Sequence, residues 1–118
     1  MNNRINLSQA IDMTTRYRAN KESILKTEYQ GQNILCISEK FEGSSVQSLI
    51  GQEDCVGVRT YFGMDESMKV HVIMVGVNSE NEDMLPAESM LEEDPEGIIL
   101  EEGIRCPPQC PPYSALNP

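Results

Sequence analysis

Hydrophobic and polar residues alternate along residues 55–64, so an extended chain would send them to opposite sides. One set is apolar or β-branched and comprises Val56, Val58, Thr60 and Phe62. The other set comprises Gly57, Arg59 and Tyr61. Period-two alternation with β-branched and aromatic residues is typical of a β-strand. The pattern therefore predicts a strand over this run.

A second run, residues 70–77, is apolar on both of its faces apart from His71. A strand of that kind is usually central in a sheet and covered above and below. Between the two runs, Gly63 can leave the strand and residues 65–67 supply turn-forming side chains. Residues 55–78 are thus predicted to form an antiparallel hairpin. A two-stranded hairpin is marginal alone, so the rest of the chain must supply partners for it.

Apolar residues recur at three- and four-residue steps near the start of the chain, from Leu7 to Leu25. This spacing predicts an amphipathic helix from about Ser8 to Lys26, with Ser8 as the N-cap. Asparagine competes with the helix for backbone hydrogen bonds. A break at Asn20, giving two shorter helices, is therefore an alternative.

A short apolar run at residues 34–37 predicts a strand of about four to six residues. A short helix is then predicted through Ile50, capped by Ser44 or Ser45 and ended by Gly51 in the left-handed conformation. This order of elements predicts an α+β fold. We expect a small two-layer domain in which the N-terminal amphipathic helix and the short helix pack on an antiparallel sheet built around the hairpin.

After the hairpin the composition changes to acids, prolines and glycines, with one apolar island at residues 98–100. That island can add an edge strand or dock on the core. Residues 79–96 are predicted to be loop-like. Residues 107–118 are predicted to be extended, because prolines fix φ and remove backbone donors. We therefore predict an α+β core domain at residues 1–78 and an acidic, Pro-rich tail at residues 79–118, partly disordered or extended.

Charge and hydropathy indicate that nucleic acids and membranes are not partners of this chain. The 118 residues carry a net charge of -10, and residues 80–118 hold ten acids against Arg105 alone. Such a chain lacks the positive surface that neutralises phosphates, so we expect no nucleic-acid partner. No apolar run approaches the ~20 residues of a membrane helix, and no signal-peptide layout is present, so we expect no membrane partner and a cytoplasmic protein. That compartment favours reduced thiols.

Three segments carry a family resemblance. The pieces CVGVRTYFGMDE, MVGVN followed by Asp83, and IRCPPQCPP resemble those of a group of short bacterial proteins. That group has a Cys-Val-Gly-Ile/Val-Arg-x-Tyr-Tyr/Phe-Gly strand, a Val-Gly-Val strand and a Cys-Pro-Pro tail. The resemblance covers roughly the C-terminal two-thirds of the chain and implies a bacterial cytosolic protein. It implies no activity and no catalytic residue.

The cysteines leave several kinds of chemistry open. Cys106 and Cys110 are separated by three residues, and with Cys36 and Cys55 they offer the four thiolates of a structural zinc site. At ~3.1 Å per residue in polyproline II geometry, Cys106 and Cys110 would stand about 12 Å apart. That distance is too large for the two to share an ion without a bend in the chain. Zinc held by Cys106 and Cys110, a redox pair or disulfide, and inert packing cysteines are the alternatives. No cofactor other than this possible zinc is expected.

Arg59 and Tyr61 share one face of the first hairpin strand. They are expected to form a solvated or salt-bridged face, with Glu39 or Glu42 as the nearby acids. The alternative is that Arg59 and Tyr61 contact a ligand or a protein partner.

No catalytic constellation accompanies His71, which is expected to be structural or partly exposed. We therefore predict a small cytosolic interaction or adaptor protein that is not an enzyme. It would bind a protein partner through the sheet face or through the Pro-rich tail, where Tyr113 is the one large anchor. The alternative is a thiol- or zinc-dependent site at Cys106 and Cys110.

Overall fold

The structure of this chain, a computed structural model, describes residues 3–86 and 98–118. Within those residues the elements in chain order are α1 (Leu7–Asn20), β1 (Ser38–Lys40), α2 (Gly43–Ile50), β2 (Cys55–Met64), β3 (Val70–Asn78), β4 (Asp83–Met84), β5 (Ile99–Leu100) and β6 (Ile104–Cys106). The predicted α+β fold is confirmed, with helices and antiparallel strands in one chain. Neither described helix is long and apolar enough to cross a bilayer.

β2 and β3 form the predicted hairpin, and β3 is the central strand of its sheet. The two strands are antiparallel, with Met64 opposite Val70 beside the turn. Asp65 closes that turn, because its Oδ1 accepts the backbone N–H groups of Ser67 (2.8 Å) and Lys69 (3.0 Å). β4 and β5 both pair antiparallel with β3, on the side that β2 does not occupy. The hairpin and the central position of its second strand are therefore confirmed.

The core of this sheet lies where α2 packs against it. α2 contacts β2, β3 and β5, and its Leu49 side chain is fully buried. Val75 and Val77 of β3 are also buried, with 2% and 8% of their surface exposed. Burial of these side chains stabilises the sheet by removing apolar surface from water.

The ends of α2 differ from the prediction. The helix begins at Gly43 after Glu42, and neither Ser44 nor Ser45 caps it. Gly51 follows the helix with φ -81°, in the right-handed region, so the predicted left-handed ending is wrong. Gly51 donates its N–H to the carbonyl four residues earlier at 2.8 Å, which closes the last helical turn without that conformation.

The bounds of α1 also differ from the prediction, for a local reason. The N-cap is Asn6, not Ser8: Asn6 Oδ1 accepts the N–H of Gln9 at 2.8 Å, and Gln9 Oε1 accepts the N–H of Asn6 at 3.0 Å. This is a capping box, which satisfies two backbone donors at once. The helix ends at Asn20 and not at Lys26, as the alternative of a break allowed, and a 3₁₀ turn lies at Thr27–Tyr29.

The strand predicted at residues 34–37 lies further on, at β1. The carbonyls of the apolar run are taken by side chains and not by a neighbouring strand. The donors are Arg105 to Ile34 (3.1 Å), Lys21 to Leu35 (3.1 Å) and Tyr17 to Cys36 (2.5 Å). Within the run, the N–H of Ile37 donates to the Cys106 carbonyl at 2.6 Å, and the strand itself begins at Ser38, where β1 pairs with β6.

The described residues group into two compact units. We name residues 3–38 with 105–118 the terminal unit, and the described residues between Glu39 and Ile104 the sheet unit. The sheet unit contains α2 and the four-stranded sheet; the terminal unit contains α1. The predicted division into a core at 1–78 and a tail at 79–118 stays a prediction.

The segment after the hairpin is more ordered than predicted where it is described. β4 interrupts the predicted loop, residues 87–97 lie outside the described residues, and the apolar island supplies β5 as an edge strand. The proline-rich end is not extended: Cys106 and Cys110 are joined by a disulfide with 4.6 Å between their Cα atoms. The expectation of reduced thiols is therefore wrong for this pair. Gln109 donates its N–H to the Arg105 carbonyl at 3.0 Å, so this segment is a turn.

Candidate functional site

The most exposed large apolar side chains of the sheet unit include a group on β2. Their exposed fractions are 68% for Val56, 40% for Val58, 76% for Phe62 and 57% for Met64. We call these four residues the β2 apolar strip. Exposed apolar groups that follow one another along a strand mark an interaction surface more often than singly scattered ones do.

β2 is also an edge strand. Within the described part of the chain it pairs only with β3, and its ten residues include no proline. An edge strand without proline presents unpaired backbone N–H and C=O groups that another chain can use. Beside it lies a shallow depression of about 610 Å³, lined in part by Val56, Val58 and Asn81. A Cβ built on Gly57 meets nothing within 4 Å, so open space adjoins the strand there.

Arg59 and Tyr61 point away from the strip and meet Asp83 of β4. The Arg59 guanidinium and the Tyr61 hydroxyl both donate to the Asp83 carboxylate, and Arg59 Nη2 donates to Asn81 Oδ1 at 2.7 Å. The acid in this cluster is Asp83, so the expectation of Glu39 or Glu42 is wrong. The interaction holds the β3–β4 turn to β2.

The cluster shifts the pKa of each member. The hydrogen bond from Tyr61, followed by that from Arg59, lowers the pKa of Asp83. The same hydrogen bond raises the pKa of Tyr61, and the bond to Asp83 raises the pKa of Arg59. In the isolated chain these groups satisfy one another. Their predicted role in partner binding stays a prediction.

A second polar cluster surrounds His71 of β3. Its Nε2 lies 2.8 Å from Asp65 Oδ2, and its Nδ1 lies 3.7 Å from oxygens of both Glu39 and Glu101. The side chain is 19% exposed and lines, with Met64, a cavity of about 200 Å³. The hydrogen bond from His71, followed by the Lys69 N–H, lowers the pKa of Asp65. This concentration of carboxylates makes the end of β2 near Met64 electronegative.

The residues predicted in the tail lie in the terminal unit. Tyr113 is 82% exposed, as an anchor for a partner requires. Cys106 is fully buried and Cys110 is exposed, although the two are bonded. In the disulfide neither sulfur is the thiolate that binds zinc. Across residues 3–86 and 98–118, no three His, Cys, Asp or Glu side chains are placed to hold a metal ion.

The other two cysteines, Cys36 and Cys55, are half-buried and not disulfide-bonded. Cys36 lies in the terminal unit, and Cys55 begins β2 in the sheet unit. The position of Cys36 within an apolar run indicated that it would be buried. Its backbone carbonyl accepts a hydrogen bond from the Tyr17 hydroxyl of α1, a contact that the local sequence does not reveal.

The described residues thus offer three features with functional potential: the β2 apolar strip, the negatively charged end of β2 and the Cys106–Cys110 disulfide. Comparisons with protein-family models, with curated proteins and with solved structures found no match to this chain.

Proposed function

We propose that this protein is a small cytoplasmic interaction module that binds an extended segment of a protein partner along β2. The observation that carries the proposal is the β2 apolar strip on a proline-free edge strand. A partner strand added to that edge would gain main-chain hydrogen bonds, and its alternate side chains would cover the strip. Such a mode needs no catalytic group.

Charge identifies the chemistry of the partner. Exposed acids lie at both ends of β2, with Glu53 and Asp54 before it and Asp65 and Glu66 after it. The His71 cluster adds Glu39 and Glu101 near the second end. A partner segment with alternating apolar residues and a basic residue at each end complements this arrangement.

The same charges argue against a second copy of this chain as the occupant. In an antiparallel β2–β2 pair centred on Arg59 and Thr60, Asp54 of one copy faces Asp65 of the other, and Glu53 faces Glu66. Directly opposed like charges destabilise a strand pair. The net charge of -10 adds a general repulsion between copies.

A peptide titration tests the proposal directly. The probe is a peptide matched in length to β2, with alternating valine and threonine and lysine at both ends; the comparison peptide has glutamate at both ends. We expect the lysine-ended peptide to bind, with the largest backbone amide shift changes in residues 56–64. Equal binding of both peptides, or shift changes centred elsewhere, would contradict the proposal.

Two substitutions localise the binding. Phe62→Ser removes the most exposed strip residue and should weaken peptide binding about tenfold to a hundredfold, since burying a large apolar side chain contributes ~1.5–3 kcal/mol. Ile24→Ser is the matched control, because Ile24 is 71% exposed but lies in the terminal unit. A dimer in sedimentation that Phe62→Ser dissociates would assign the edge to a second copy instead.

A further inference from the structure

We propose that Cys110 is a modification site for low-molecular-weight thiols, which enter by attacking the Cys106–Cys110 disulfide. The proposal is separate from the interaction surface on β2, since both cysteines belong to the terminal unit. It develops the thiol alternative raised by the C-x-x-x-C spacing and excludes zinc from the oxidised form. The observation behind it is the unequal exposure of two bonded cysteines.

Exposure decides which sulfur is attacked. Thiol–disulfide exchange requires a thiolate to approach one sulfur directly, so access selects the site. Cys106 has 0% of its surface exposed, whereas Cys110 is exposed. An incoming thiolate therefore has access to the exposed residue Cys110, while Cys106 is shielded by the fold.

The chain around Cys106 is held more firmly than the chain around Cys110. Cys106 ends β6, and its carbonyl accepts the N–H of Ile37 at 2.6 Å. Cys110 lies after the turn closed by Gln109 and carries no strand hydrogen bond. Pro111, the next residue, lines a cavity of about 190 Å³ beside α1. When the disulfide opens, Cys106 therefore stays in place in β6. Cys110 is released and can carry the adduct.

The reaction balances without an external oxidant. The thiol RSH loses its proton to solvent, and its sulfur forms a bond to Cys110 Sγ. The Cys106–Cys110 bond breaks, its electron pair remains on Cys106, and the Cys106 thiolate takes a proton from solvent. One disulfide is exchanged for one mixed disulfide. A second RSH that attacks the bound R sulfur would release RSSR and leave both cysteines reduced.

The first test maps the adduct in the intact, oxidised chain. The protein is incubated with reduced glutathione, quenched in acid, and alkylated with N-ethylmaleimide under denaturing conditions. Tandem mass spectrometry then assigns each label. We expect glutathione on Cys110 and maleimide on Cys106. Glutathione on Cys106, equal labelling of both, or no adduct at any time point would overturn the proposal.

The second test compares the two sulfurs one at a time. Cys106→Ala leaves the Cys110 thiol and Cys110→Ala leaves the Cys106 thiol, each combined with Cys36→Ser and Cys55→Ser. We expect a chromogenic aromatic disulfide to react at least about tenfold faster with Cys110 than with Cys106 in folded protein, and equally fast in urea. Equal rates in the folded variants would refute the access argument. Circular dichroism checks that each variant is folded. If a variant does not fold, the mass-spectrometric mapping of the intact chain tests the proposal instead.

Discussion

Replacing Leu49 with alanine tests the packing of α2 on the sheet. Leu49 is the buried residue of α2 and has no exposed surface. Removing its terminal methyl and methine groups costs about 2 kcal/mol in lost transfer free energy. The cavity left between helix and sheet adds to this, so the free energy of unfolding should fall by about 3–5 kcal/mol. A domain stability of ~5–15 kcal/mol makes this a large fraction of the total.

Urea unfolding followed by far-UV circular dichroism measures the loss. With an m-value of about 1–3 kcal/mol per molar urea, the midpoint of the sheet unit should fall by about 1–5 M. Ile50→Ala is the matched control, because Ile50 is the next residue of the same helix and is 51% exposed. It should lose less than about 1 kcal/mol. If the two variants lose equal stability at an unchanged m-value, the helix-on-sheet packing is wrong.

Two further predictions concern the Asp83 cluster and the ends of α2. Asp83→Asn should destabilise the chain near neutral pH. Because the pKa of Asp83 is lowered in the folded state, its carboxylate stabilises the fold at pH values above the ordinary carboxyl pKa. That stabilisation is lost as the pH falls through the folded-state pKa. Thermal unfolding should therefore separate wild type from Asp83→Asn at pH 7 and bring them together well below pH ~4; a gap that persists in acid would argue for a different role. Gly51→Ala should destabilise α2, because the added Cβ would lie 2.8 Å from the Gln47 carbonyl oxygen, whereas Gly43→Ala meets open space and should be neutral or stabilising by up to about 1 kcal/mol. Thermal melts that rank these two variants in the opposite order would contradict this.

The hairpin could be predicted from the sequence because its information is local. Alternation fixes the strands, and the acid at Asp65 closes the turn between them within five residues. The capping box of α1 was equally local: Asn6 followed three residues later by Gln9 was a usable signal, and it predicts the helix start better than Ser8 does. Where prediction failed locally, side chains from elsewhere had taken the backbone groups, as Tyr17 does at Cys36.

The candidate sites depended on information that alternation does not contain. Alternation shows that β2 has two faces, but which face stays exposed depends on what packs on the sheet. Arg59 meets Asp83 because β4 reaches the hairpin, and His71 meets Glu39 and Glu101 because residues distant in the sequence converge on it. An oxidised Cys106–Cys110 pair was among the alternatives left open, but the extended conformation predicted for the proline-rich run is wrong, because a turn closes it.

The division of the terminal unit between residues 3–38 and 105–118 has a consequence for the order of folding. The hydrogen bond from Ile37 to Cys106 closes a loop of about 70 residues, and loop closure costs entropy before any contact repays it. The hairpin of the sheet unit needs no such closure, since it pairs residues close in sequence. During synthesis, the hairpin can therefore form before Arg105 is available to donate its hydrogen bond to the Ile34 carbonyl. The segment around Ile34 and Ile37 is therefore among the last to acquire its native contacts.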